Sequence, residues 1–190
     1  MNAGENPFAP GRLERVLGFD PALARTSWEA LEEKWQALGC RAAVTGHRGS
    51  GKSALLRAWA KRCESPVVLH FNEQRRRMDE VDRRELAEGA GKLWFIDGED
   101  YLHGRDRREL RHAAKAAAGI LVSRYRAGSW PELIQLAATP VMAEILLERA
   151  AAAHGERFRH DLEQRFRRCH GNLRELWLEC YDDLAGRKVL

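Results

Sequence analysis

Eight residues, Gly46-His47-Arg48-Gly49-Ser50-Gly51-Lys52-Ser53, fit the spacing G-x-x-x-x-G-K-[ST] in full. The residue types suit the holding of a phosphate. Glycines accept positive φ and let backbone N–H groups curl around phosphate oxygens with no Cβ in the way. A helix that begins here aims unpaired N–H groups and partial positive charge at the same spot. Lys52 would then bridge the β- and γ-phosphates, and the Ser53 hydroxyl would ligate Mg²⁺. The cation also needs a carboxylate. The run LWFIDGED supplies one: four apolar residues, Leu93 to Ile96, lead into Asp97, and Glu99 and Asp100 follow Gly98.

Two further polar sets stand out. The apolar run ILVSRY carries Ser123-Arg124 towards its end, where a hydroxyl and a guanidinium could face a ligand. Downstream, His170-Gly171-Asn172-Leu173-Arg174-Glu175 reads as a helix start, with Asn172 and Glu175 as a capping box and Arg174 in the first turn. A guanidinium there is always charged and offers a planar fork to phosphate oxygens. The neighbouring pair Cys169-His170 shows no third ligand at recognised spacing and reads as structural.

These groups need elements to position them. Residues 1–25 read as irregular, punctuated by Pro7, Pro10, Gly11 and Pro21. A helix follows, with Thr26 and Glu29 as its capping box, Trp28, Leu31, Trp35 and Leu38 at helical spacing, and Gly39 as its stop. Buried strands are expected at 42–45, 67–72, 92–98, 120–125 and 133–136. Helices are expected at about 52–63, 73–91 and 105–118 between them. Beyond Pro140 come three helices, roughly 141–153, 157–169 and 172–185, and no strand. Alternating strands and helices argue for an α/β fold with a parallel sheet covered on both faces. A strand buried on both faces would present Asp97 at its C-terminal end, where ligands bind in open parallel sheets. The domains read as an N-terminal segment and capped helix (1–40), an α/β core (41–139) and a small helical part (140–190).

The 46–53 loop, between a strand and a helix, resembles that of the P-loop NTPases. Apolar residues followed by Asp97-Gly98-x-Asp100 resemble the Walker B element of the STAND and NACHT ATPases, relatives of AAA+ proteins. That likeness makes Asp100 the first candidate to orient the attacking water. Glu99 is the second, because the commoner AAA+ pattern has Glu directly after the Asp, where this chain has Gly98. Ser123, with Arg124 behind it, resembles sensor 1, and the Gly171-Asn172-x-Arg174-Glu175 order resembles the sensor 2 helix of AAA+ lids. Together these cover about residues 41–176. The resemblance implies a five-stranded parallel sheet of order 5-1-4-3-2, a C-terminal helical lid, and ATP with Mg²⁺ held by Ser53 and Asp97. It also implies phosphates held by Lys52 and the loop backbone, including His47, Arg48 and Ser50, and an ATPase, for which low turnover is allowed. Such a chain would act as a switch or motor subunit with a protein partner or as an oligomer.

No N-K-x-D and no L-S-G-G-Q occur, which argues against GTPases and ABC-type ATPases. A small-molecule or nucleotide kinase is the alternative, with Arg105, Arg107, Arg108 and Arg111, or Arg124 and Arg126, clamping a second phosphate. The net charge of +4 is uneven: residues 41–130 carry +7, against −2 before and −1 after. Arginines interleaved with Asp and Glu read chiefly as solvated ion-paired helices, so nucleic-acid binding has little support. Four cysteines without a CxxC, no long apolar run and no basic-then-apolar start favour free thiols and a cytoplasmic protein away from membranes. Of the six tryptophans, Trp28, Trp35, Trp59, Trp94 and Trp177 read as core.

Overall fold

The computed structural model describes residues 6–126, 128–152 and 155–186. Five strands make one all-parallel sheet: β1 (Arg41–Gly46), β2 (Val67–His70), β3 (Leu93–Asp97), β4 (Gly119–Arg124) and β5 (Glu132–Leu136). Their order is β2-β3-β4-β1-β5, the expected 5-1-4-3-2 seen from the other edge. Burial on both faces explains the unbroken apolar runs: Ala42, Ala43 and Val44 of β1 and Ile120, Leu121 and Val122 of β4 are fully buried. β2 lies at an edge and alternates, with Val67 and Leu69 inside and Val68 and His70 outside. Because all strands run the same way, Gly46, His70, Asp97 and Arg124 end at one edge of the sheet.

By contacts the chain forms two compact units, Ala24–Gly46 with Lys52–Leu136, and Met1–Leu23 with His47–Gly51 and Ala137–Leu190. The first contains the sheet with helices α2 (Trp28–Ala37), α3 (Lys52–Ala60), α4 (Glu80–Glu88) and α5 (Gly104–Ala113). Trp94 and Phe95 are buried, and the Trp94 indole N–H donates to the Gly89 carbonyl at 2.8 Å, so the ring's polar handle is satisfied. Trp59 packs edge-on against Trp28 and Trp35 at 5.8 and 5.2 Å. Trp28, expected in the core, is only half-buried, and Arg62 covers its ring at 4.7 Å.

The second unit holds α1 (Pro10–Val16), α6 (Pro140–Ala151), α7 (Gly155–Arg159), α8 (Leu162–Arg168) and α9 (Leu173–Leu184). Phe8 is its central anchor: fully buried, edge-on to Phe158 at 5.3 Å and stacked on Trp177 at 5.9 Å. Asn6 fixes the approach, donating to the Tyr181 carbonyl at 2.9 Å and accepting from the Phe8 N–H.

Several expected boundaries change for local reasons. The N-terminal region is not wholly irregular, because Pro10 at a first-turn position starts α1 where its missing N–H costs nothing. The cap of α2 is Ser27, whose Oγ accepts from the Ala30 N–H at 3.2 Å, rather than Thr26. The 73–91 stretch is helical only from Glu80. Asn72 Oδ1 first accepts from the Gln74 and Arg75 N–H groups in a side-chain turn, and Asp79 with Asp82 then forms a true capping box. The 105–118 helix ends at Ala113 and tightens into a 3₁₀ turn over Ala114–Ala116. The single helix expected at 157–169 is two, α7 and α8, broken at His160-Asp161. Phe158, Leu162 and Phe166 keep the helical period across the break, so periodicity gave no sign of it. Gly39 does stop α2, with φ at +68°.

Candidate functional site

The glycine-rich loop leaves β1 and enters α3. Gly46, Gly49 and Gly51 take φ of 142°, 70° and 97°, values other residues rarely adopt. The Ser50 N–H turns back to the His47 carbonyl, while the buried Ser50 Oγ has no hydrogen-bond partner. Gly49 has a second constraint. A Cβ there would lie 2.0 Å from Asn172 Oδ1 and 2.7 Å from the Leu173 nitrogen, so the start of α9 packs directly on the loop. Arg174 opens that helix and is exposed. Asn172 caps it, accepting from the Arg174 and Glu175 N–H groups. The expected reciprocal bond from Glu175 does not form, because the Asn172 N–H donates to the Cys169 carbonyl.

In the sheet unit, Lys52 Nζ donates to the Gly46 carbonyl at 2.7 Å and stands 5.3 Å from the centre of the Tyr125 ring. Asp97 gathers the other expected groups. Its Oδ1 accepts from Ser123 Oγ, its Oδ2 pairs with His70 Nδ1 at 2.9 Å, and the Ser53 hydroxyl also acts on it to lower its pKa. Burial would raise the pKa of this carboxyl, whose side chain is 13% exposed, but the bonds from His70, Ser123 and Ser53 outweigh it and hold the pKa below its ordinary value. The carboxylate is therefore kept charged among hydroxyl donors, a hard-oxygen set that suits Mg²⁺. Ser123 Oγ also accepts the Gly98 N–H at 2.8 Å, tying the end of β4 to that of β3.

Gly98 sits where the commoner pattern has Glu, for a physical reason. Its φ is +76°, and a Cβ would meet the Phe71 carbonyl oxygen at 2.2 Å. The chain can turn beneath the end of β2 only with glycine. Past it, the two acidic candidates part company. Asp100 Oδ2 accepts the Tyr125 N–H at 2.8 Å and the residue stays partly exposed. Glu99 has no exposure and is ringed by Arg124, Arg111 and Arg107 at 3.2, 3.4 and 3.9 Å. Arg107 also donates to the Asp100 and Leu102 carbonyls at 2.6 and 2.8 Å.

Thus Ser53, Asp97 and Ser123 come together, and Glu99 is separated from Asp100 by its environment. Sequence reasoning missed His70, the Gly98 constraint and the arginine ring. Only the parallel register, which pairs His70 with Asp97, could have drawn attention to His70. Other arginines of the sheet unit meet acids or backbone carbonyls, as Arg76 does at Tyr101 and Arg108 at Gly104. Arg75 pairs with Asp79 and Asp82, and Arg83 with Asp106 and Glu109; Asp79 and Glu109 are solvated as expected, but Asp82 and Asp106 are buried, so these pairs are only partly surface pairs. All four cysteines are free, and burial pushes the Cys169 and Cys180 thiols up to about 12. Among the described residues no helix is long and apolar enough to cross a membrane, and no cluster of three or more His, Cys, Asp or Glu could hold a metal. No protein-family model matches the chain, and a search of curated proteins finds no match either.

Proposed function

We propose that this chain binds ATP with Mg²⁺ and hydrolyses it slowly, as a P-loop protein of the AAA+/STAND type working with a partner or as an oligomer. What carries the reading is the eight-residue spacing of the glycine-rich loop between β1 and α3, with its glycines at positive φ, together with Asp97 at the end of β3 held charged by its hydrogen-bond donors. Bound Mg²⁺ would neutralise charge on the β- and γ-phosphates. Lys52 exchanges its Gly46 carbonyl acceptor for a phosphate oxygen, and the unpartnered Ser50 hydroxyl gains an acceptor. Asp100 keeps one carboxylate oxygen on the Tyr125 N–H and accepts from the lytic water with the other. Ser123 bonds to that water or to the γ-phosphate, the role that the sensor 1 resemblance implies.

Slow turnover, fitting a nucleotide-dependent switch, is favoured because neither acid is a free base: Asp100 is hydrogen-bonded and Glu99 is enclosed by arginines. Phosphate release from Mg-ATP tests the reading on wild type, Lys52→Ala and Asp100→Asn. We expect Lys52→Ala to abolish release, and Asp100→Asn to lower it about 10²-fold or more while nucleotide still binds. Undiminished release by Lys52→Ala would overturn the assignment. Release that requires an added phosphoryl acceptor would favour the kinase alternative, for which Arg107, Arg111 and Arg124 would hold the acceptor.

A further inference from the structure

Two stretches leave the same edge of the sheet: residues 72–77 follow β2, and residues 99–108 follow β3 and run into α5. Two hydrogen bonds stitch them together. The His103 N–H donates to the Arg76 carbonyl at 3.0 Å, and Arg76 Nε donates to the Tyr101 carbonyl at 3.3 Å. Acids and arginines interleave here in sequence, but folding sorts them. Arg75 takes Asp79 and Asp82, and Arg83 takes Asp106 and Glu109. Arg76, Arg77, Arg105 and Arg108 are exposed, and among the described residues none of them stands within ion-pair distance of an acid. Arg105 acts on Glu109 only through longer-range charge. Arg76 and Arg108 each commit Nε to a carbonyl, Arg108 to that of Gly104 at 3.2 Å, and their Nη groups meet no protein acceptor among the described residues. His103 is exposed beside them. Glu73 and Glu80, exposed at the two ends of the turn, reduce the formal charge of the four arginines from +4 to +2.

We propose that Arg76, Arg77, Arg105 and Arg108 form a docking surface for duplex DNA that holds the phosphate backbone without reading sequence. Charge and chemistry select this partner. All four groups are guanidiniums, whose planar forks fit phosphate oxygens. No exposed large apolar side chain lies in either stretch, whereas a protein partner needs an apolar centre. No exposed aromatic ring is there for bases to stack on, which sets aside single strands. No serine or threonine is present to take a ribose 2′-hydroxyl, a contact that recognition of duplex RNA uses. The arginines that surround Glu99 are not part of this surface, and neither is the glycine-rich loop. The surface therefore goes beyond the ATP reading and does not depend on it.

The test uses the full chain and needs no nucleotide. Fluorescence anisotropy of a short labelled duplex DNA is followed over a range of salt concentrations. The proteins are wild type, the doubles Arg76→Gln with Arg77→Gln and Arg105→Gln with Arg108→Gln, and a control, Arg167→Gln, at an exposed arginine of α8. Urea midpoints close to wild type check that the variants fold. Wild type should bind two duplexes of unrelated sequence alike, and its log affinity should fall linearly with log salt. Each double variant should lower that slope by about two and weaken binding about tenfold or more. The control should leave both unchanged. No binding by wild type, a full slope in both double variants, or an equal loss in the control would overturn the surface. Tighter binding of duplex RNA or of single strands would overturn it as well. Displacement of the DNA by polyglutamate at equal charge would do the same, because the partner would then be an acidic protein segment. Failure of the ATPase assay would leave each of these outcomes readable.

Discussion

Asp97 and Glu99 are two residues apart, yet they solve the burial of a carboxylate in opposite ways. Asp97 keeps 13% of its side chain open and is hydrogen-bonded by His70 of β2 and Ser123 of β4, with the Ser53 hydroxyl also lowering its pKa. Glu99 has no exposure and relies on charge, with three guanidiniums around it and no hydrogen bond of good geometry. The first arrangement leaves a charged oxygen that can exchange one neutral donor for a cation at small cost. The second cannot release its carboxylate without leaving three guanidiniums, that of Arg124 nearly buried, without their shared counter-charge. Position after the Walker-like aspartate therefore does not decide which acid is available for chemistry; the partners do. That is why Asp100 is the better candidate to meet water, and Glu99 the better brace.

The most severe test of the contrast is to remove the brace. Glu99→Ala leaves the three arginines without a counter-charge and should cost about 3 kcal/mol or more of stability, measured by urea unfolding. A cost below about 1 kcal/mol would mean that the arginines relax into solvent and that Glu99 is not their anchor. Gly98→Ala strikes the joint between the two acids. Left-handed backbone costs a non-glycine residue roughly 1–2 kcal/mol, and the clash with the Phe71 carbonyl adds to it. Near-neutral unfolding behaviour would show that the turn has more room than its geometry implies. Ser123→Ala removes one hydrogen bond to Asp97 and leaves the Gly98 N–H without its acceptor, so a loss of about 1–3 kcal/mol is expected.

The sheet was legible from sequence because its signals are local. Runs such as LWFI and ILV are short, wholly apolar and bounded by polar residues, and each became a strand of the expected order. The loop and the position of Asp97 were legible because glycines at positive φ and an acid closing an apolar strand restrict residue type. The partners of these residues were not. His70 meets Asp97 through strand register, and Arg107, Arg111 and Arg124 reach Glu99 from two elements whose charges read as ordinary surface. Phe8, the anchor of the helical unit, lies in a proline-rich stretch without periodicity, and its burial depends on Phe158 and Trp177, far along the chain. Single-element patterns tell which face is apolar; they are silent on which distant residue will fill it.

The smallest expected effect concerns the charge of Asp97 itself. Its folded pKa lies below the ordinary 3.8, so near that pH the folded chain binds fewer protons here than the unfolded chain. The resulting stability is complete above 3.8 and is lost as pH falls through the lower folded value. Each full unit of depression contributes about 1.4 kcal/mol. Asp20, Asp79 and Glu109 are also held low, chiefly by arginine bonds at Asp20 and Glu109 and by the backbone bond from Asp82 at Asp79, so acid unfolding of wild type alone sums many groups. The difference between wild type and Asp97→Asn cancels them. That difference, from urea midpoints, should be constant from neutral pH down to about 4 and shrink below it. A difference that instead grows on acidification would mean that the folded pKa is raised, with burial winning over the three donors. Asp97 would then resemble an uncompensated buried acid, and the contrast with Glu99 would vanish.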